Sequence, residues 1–219
     1  MSELDHAIVH QSFAIIDAEL GSHHFAPAEY AIVRRVIHST ADFEFASLLR
    51  FSPDGINRAI AALSHQTPII TDVGMVAQGI RSMVAKTFQN PIHVAVEQVQ
   101  RAYPGKTRTE SGLLACLDAY PDGIYVIGNA PTALLALCDR LSPALDSQLN
   151  APRPALVIGA PVGFVAVEAA KAALAQTAVP QIRVEGRKGG SPVAAAILNA
   201  LLVLAWEERS PRASVLKHN

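Results

Sequence analysis

The chain has 219 residues, of which 50% are hydrophobic and 17% charged. This composition excludes an intrinsically disordered or collagen-like chain, and a chain of this length buries roughly 70–75% of its unfolded surface without needing a disulfide or a metal. Eighteen Lys and Arg against 19 Asp and Glu leave a net charge of −1, which argues against a nonspecific nucleic-acid binder.

Residues 1–65 read as helical. Apolar residues recur at helical spacing over 4–20 (Ile8, Ile15, Ile16, Leu20), and Gly21 stops the run. Pro27 opens a second helix to residue 37, and a third follows Ser52-Pro-Asp-Gly55 and runs to about residue 64. The rhythm then changes. Short apolar segments at 68–71, 92–96, 124–127, 155–158 and 181–184 read as strands. The third and fourth are almost wholly apolar, as in strands covered on both faces. Helical runs at 75–88, 110–119, 132–141, 162–177 and 193–207 alternate with them. The expectation is an α/β protein: a three-layer α/β/α, flavodoxin-like fold with a five-stranded parallel sheet, right-handed crossovers and extra N-terminal helices. No repeat or linker divides the chain, so one domain is expected over 1–209, followed by a frayed tail over 210–219.

The opening Met-Ser-Glu-Leu-Asp-His lacks a basic region followed by an apolar run, so no signal peptide is expected. The longest uncharged apolar stretch, 193–206, has 14 residues, which suits a core helix better than a membrane span. Cys116 and Cys138 lack CxxC spacing and read as buried thiols in a reducing compartment, so a soluble, cytoplasmic protein is expected.

In an open parallel sheet ligands bind beyond the carboxyl ends of the strands. That rule points to the loops at 72–75, 97–108, 128–131, 159–164 and 185–192. In the last, Gly186, Gly189 and Gly190 let a ligand approach the backbone, Arg187 and Lys188 add positive charge, and Ser191-Pro192 suits a helix start. It reads either as a carboxylate- or phosphate-binding loop or as a solvated basic turn before a capped helix. It is neither a Walker A sequence nor GxGxxG. The loops at Gly128-Asn-Ala-Pro131 and Gly159-Ala-Pro-Val-Gly-Phe164 have a similar form. His38 follows a helical run and precedes Ser-Thr; a histidine exchanges protons near neutrality, and Asp42 and Glu44 are near enough in sequence to orient it. No Gly-x-Ser-x-Gly, HExxH or Cys/His pair is present, which leaves hydrolase and metal-enzyme readings little support.

Arg-Val-Ile-His-Ser-Thr-Ala-Asp-Phe-Glu (35–44) resembles the active-site segment of the precorrin-8X methylmutase family. In the same order follow Asp72-Val-Gly-Met-Val-Ala-Gln-Gly-Ile80, Thr107-Arg108, Ile127-Gly-Asn-Ala-Pro-Thr-Ala-Leu134, Pro161-Val-Gly-Phe-Val165, Gly186-Arg-Lys-Gly-Gly-Ser-Pro192 and Asn199-Ala-Leu201. Each motif alone is weak, but their joint order and spacing is specific. The resemblance implies an isomerase late in the route to vitamin B12. It would move a methyl group from C-11 to C-12 of precorrin-8X, or of cobalt-precorrin-8, to give hydrogenobyrinate or cobyrinate. It implies a homodimer with the site near the subunit interface and no metal or redox cofactor in the enzyme. Nucleic-acid and membrane partners are not expected.

By this resemblance His38 is the catalytic histidine. Substrate contacts map onto Ser12, Arg35 and Arg108, onto Gly128, Asn129, Ala130 and Pro131, onto Pro161, Val162, Gly163 and Phe164, and onto Lys188, Gly189, Gly190 and Ser191. A corrinoid, with carboxylates around a large apolar ring, calls for cations and helix amides at its rim and a wide apolar floor. The chain departs from the family where Glu-Ser-Lys is common. Val167-Glu-Ala-Ala-Lys171 puts the glutamate one place earlier, about 100° round the helix, and keeps Lys171. Ala41 stands where many members carry glycine. A non-catalytic corrinoid-binding or carrier protein is the alternative reading.

Overall fold

The computed structural model describes residues 4, 6–141 and 153–209. The expected tail at 210–219 lies outside the described residues. Helices α1 (Ala7–Leu20), α2 (Pro27–Thr40) and the single turn α3 (Phe45–Leu48) precede strand β1 (Leu49–Phe51). Then come α4 (Gly55–Ser64), β2 (Ile69–Thr71), α5 (Gly74–Lys86), β3 (Ile92–Val94) and a 3₁₀ turn, Ala95–Glu97. The chain continues through α6 (Arg108–Ala119), β4 (Ile124–Ile127), α7 (Pro131–Arg140), β5 (Leu156–Gly159), α8 (Val167–Ala175), β6 (Gln181–Val184) and α9 (Ser191–Arg209).

The helix starts follow local chemistry. Pro27 and Pro131 occupy first-turn positions, where no intrahelical N–H is missed. Thr107 and Glu110 form a reciprocal capping box on α6, with Thr107 Oγ1 accepting from the Glu110 amide at 3.1 Å.

The sheet is six-stranded and mixed, in the order β1-β6-β5-β4-β2-β3. The five expected strands are present and parallel, in the flavodoxin-like order β3-β2-β4-β5-β6. The sixth strand is the correction to the sequence reading. Leu49, Arg50 and Phe51 pair antiparallel with Val184, Arg183 and Ile182 and cover the open β6 edge. Alternate strand residues face two cores. Ile69, Ile124, Val126, Leu156, Ile158 and Ile182 meet α4, α5 and α9, with α2 packed on α9 and α1 on α2. Ile70, Tyr125, Ile127 and Val157 meet α6, α7 and α8 on the other face.

Helix α9 is apolar on almost all sides because it lies between the sheet and α2, with α4 and α5 beside it. Its mean hydropathy of 1.3 over an 18-residue window would suit a membrane span, but 67% of that window is buried inside the protein. Both cysteines are buried and unpaired, as expected, with Cys116 and Cys138 in the α6–α8 core. A second correction concerns α8. It starts at Val167, not at residue 162, because Gly163 (φ 142°) and Ala166 (φ 59°) hold the chain out of the helical region.

Candidate active site

The switch point of the sheet lies between β2 and β4, where successive connections leave in opposite directions. Asp72, the residue after β2, fills it. Its carboxylate is wholly buried, with Oδ1 accepting from the amides of Val73 (3.0 Å) and Gly128 (3.2 Å) and Oδ2 from Asn129 (2.6 Å) and Ala130 (2.8 Å). Burial pushes the carboxyl upward, and the four N–H donors oppose that shift. Three amides of the β4–α7 loop are thus turned inward to Asp72, so this loop offers a ligand its outer edge, with Asn129 exposed. A Cβ on Gly128 would meet Val76, the Ser191 backbone and Ala194 at 2.8–3.0 Å, which seats the loop directly on α5 and the start of α9.

His38 lies inside the last turn of α2, which runs three residues beyond the expected end. It is exposed, and its ring meets Phe13 of α1 edge-on at 5.6 Å between centroids. Arg35, one turn earlier, has its guanidinium carbon 5.5 Å from the same ring. Ser12 precedes Phe13 and is half-buried. Arg34 lies over the Phe13 ring, its guanidinium carbon 4.4 Å from the centroid, and is paired with Asp17 at 2.9 Å.

Asp42 and Glu44 do not orient His38. Both receive the Lys188 ammonium at 2.6 Å. The Lys188 hydrogen bond, then the Glu44 amide, holds the Asp42 carboxyl below its usual range; Asp42, then Glu44, holds the ammonium above its own. The ion pair joins the β6–α9 loop to the segment that follows His38. That loop also lies on the β5–α8 turn. The Gly190 amide donates to Ala160 O at 2.8 Å and the Gly163 amide to Arg187 O at 3.3 Å. At Gly189 (φ 155°) a Cβ would sit 2.3 Å from Ala160 O, so no side chain fits.

The remaining loops close the series. Thr107 and Thr132 hydroxyls stand 3.4 Å apart across the starts of α6 and α7. Arg108 is exposed, with Nε on Val96 O at 2.8 Å, which leaves the terminal nitrogens of its fork for a carboxylate. The structure therefore links the expected site residues through a series of contacts made by them and by their neighbours in sequence. One end is Arg108 and Pro131; the path runs by Gly128, Ser191, Gly190 and Pro161 to Lys188, and ends at His38, Arg35 and Ser12.

Apolar surface on this rim is open. Phe164 is 86% and Val165 84% exposed, and Met75 and Val162 are exposed beside the same strand ends. Of two concavities, only the smaller adjoins this series, at its His38 end. One, of about 930 Å³, opens at the opposite ends of the strands by Arg58, Asp122 and Arg183; another, of about 420 Å³, lies among α1, α2 and α9 beside Phe13 and Arg35. Asp72 and the Lys188 clasp were not assigned in sequence. Their partners lie 56–58 and 144–146 residues away, and no local spacing signals them. The shifted Glu168 reaches Arg187 at 3.3 Å on the surface.

A model of the family described as precorrin-8X methylmutase matches residues 7–204. The chain is 52% identical over 222 residues to a cobalt-precorrin-8 methylmutase of Synechocystis sp., covering 95% of this chain and 100% of that one. It is 37% identical over 204 residues to a precorrin-8X methylmutase of Sinorhizobium sp., covering 89% and 92%. A crystal structure of precorrin-8X methylmutase from Thermus thermophilus superposes with a TM-score of 0.81 at 39% identity, covering 94% of this chain and all of that one. With the same fold over nearly the whole length and the motifs gathered at one end of the sheet, the chain belongs to the precorrin-8X methylmutase family.

Proposed function

We propose that this protein is an isomerase of cobalamin biosynthesis that moves a methyl group from C-11 to C-12 of precorrin-8X or cobalt-precorrin-8. The supporting observation is His38. Its exposed imidazole stands at the end of α2, and four residues on the chain is clasped to the loop that closes the carboxyl end of the sheet.

Migration within one molecule needs no external nucleophile. Protonation of the conjugated ring makes the shift favourable, and His38 is the donor, a role worth roughly 10²- to 10⁴-fold in rate. Holding the macrocycle in one geometry supplies more. Arg35 and Arg108 meet substrate carboxylates from opposite ends of the rim, with Ser12 beside Arg35. The first-turn amides of α9 at Ser191 serve the same purpose. The outer edge of 128–131, the 161–164 turn and the glycines at 189 and 190 border the ring. Metal at the ring centre stays clear of these rim contacts, so the same surface accepts both forms of the substrate.

The exposed Phe164 and Val165 suit cover by a second copy, which makes a homodimer the assembly of this reading. Two unpaired, buried thiols suit a reducing cytoplasm. One domain over 1–209 carries the activity. Incubation with precorrin-8X, followed by visible absorbance, tests the reading. Conversion to a product of longer conjugation is expected, because C-11 lies on the conjugated path and C-12 at its edge, and His38→Ala should convert far more slowly. Undiminished turnover by His38→Ala removes the proton donor; binding without conversion by the native chain leaves a carrier.

A further inference from the structure

We propose that Lys171 is a positioning residue of this site: it fastens the main chain of the β6–α9 loop from beneath, so that Lys188 reaches across to the carboxylates that follow His38. The inference rests on the assignment of His38 and this loop to the reaction.

Lys171 is 3% exposed, in α8. A buried ammonium needs hydrogen-bond acceptors, and this one has two, both main-chain carbonyls of a single loop: Gly186 O at 2.8 Å and Lys188 O at 2.7 Å. The carboxylate near it in sequence, Glu168, turns to Arg187. Burial accordingly lowers the Lys171 pKa to about 8. A Met side chain would occupy the same space without desolvating a charge, so core packing alone gives no reason for lysine here. What only the ammonium supplies is the position of the loop.

The loop needs such a hold. Gly186, Gly189 and Gly190 all have positive φ, and a glycine-rich stretch has many conformations to lose. Lys188 carries the second anchored carbonyl and lies two residues before the held Gly190 amide, and its ammonium bridges Asp42 and Glu44. Asp42 Oδ1 in turn accepts from the Glu44 amide at 2.9 Å, and the Asp42 amide donates to Thr40 Oγ1 at 3.3 Å in the last turn of α2. An exposed ion pair fixes little when its ends wander. With Lys171 holding one end, the pair sets the distance between the rim loop and the helix that carries His38.

The test uses the full chain with Lys171→Met, Lys188→Met and the double variant, with precorrin-8X conversion read by absorbance. Lys171→Met should fold, with native circular dichroism, and exchange amide hydrogens faster at 186–190 and 42–44. Its kcat should fall about 10- to 100-fold, with a smaller change in affinity by absorbance titration, since a displaced group acts on the chemical step. The double variant should be about as slow as Lys171→Met alone, because both lysines act through one loop. Multiplying losses, or unchanged kcat and exchange in Lys171→Met, overturn the proposal. If Lys171→Met does not fold, Lys171→Gln, which keeps an N–H donor, takes its place in the same comparison; failure of both to fold also overturns it, because the residue then holds the core. Full activity of Lys171→Met beside an inactive His38→Ala rejects this inference alone, whereas full activity of His38→Ala rejects the reading beneath it.

Discussion

The Asp72 carboxylate, just past the end of β2, accepts the main-chain N–H of Asn129, just past the end of β4, at 2.6 Å. With three further amides on the same group, it satisfies main-chain donors at the switch point, the place where other doubly wound sheets hold their ligands. Asp72→Asn keeps the shape but turns an NH₂ toward two N–H donors. At least two charge-assisted bonds are lost, so the variant should lose about 3–5 kcal/mol of stability. Urea unfolding measures this; a loss below about 1 kcal/mol would show that the carboxylate does not organise the loop.

Ala41 caps α2 in the left-handed conformation, φ 53° and ψ 30°, with its amide on Ile37 O at 2.7 Å. An alanine is strained there and glycine is not. Glycine's greater freedom in the unfolded chain offsets part of the gain. Ala41→Gly should therefore stabilise by up to about 1 kcal/mol, or about 2–4 °C in Tm. Calorimetry decides, and a lowered Tm would mean that the turn after His38 needs the Ala41 methyl group.

The periodic features of this fold were legible in its sequence. Five segments became the five parallel strands in the expected order; β2, β4 and β5, buried on both faces, announce themselves most plainly in the sequence. β1 did not, since Leu49-Arg-Phe51 is three residues long and owes its conformation to Val184, Arg183 and Ile182. The helical reading from residue 162 failed on Gly163 and Ala166, where φ breaks the helix although the side chains are apolar. In the site, the family motifs named loops that the fold gathers at one end of the sheet, but which groups face inward was hidden. Asp72 draws its partners from the main chain, which carries no side-chain signature, and Lys188 finds Asp42 and Glu44 only through the tertiary fold.

Gly189 tests how closely the rim loop must sit. A Cβ there would overlap Ala160 O at 2.3 Å and Pro161 O at 2.7 Å, and both are backbone atoms that cannot swing aside. Gly189→Ala adds a strained φ of 155°. A loss of about 1–3 kcal/mol is expected, together with weaker binding of the corrinoid. Thermal unfolding and absorbance titration read the two effects; native affinity would place the substrate away from this loop.

The alkaline limb of stability separates Lys171 from the cysteines. Burial lowers Lys171 from 10.5 to about 8, so between these values the unfolded chain holds a proton that the folded chain has released, and stability rises with pH. Each such proton is worth about 1.4 kcal/mol per pH unit. Burial raises the thiols of Cys116 and Cys138 from 9.0 to about 11 and about 12. Above pH 9 the unfolded chain loses two thiol protons that the folded chain keeps, so two losses outweigh the one lysine gain. Above pH 10 the phenols of Tyr30 and Tyr125, both pushed up by burial, add to the fall. Stability should therefore rise from pH 8 to about 9 and decline beyond it. Lys171→Met should flatten the rise and steepen the decline up to about 10.5, while Cys138→Ala should soften the decline by one proton's worth. Urea midpoints at half-unit intervals test this, and parallel curves for wild type and Lys171→Met would show that the Lys171 ammonium keeps its proton throughout the range.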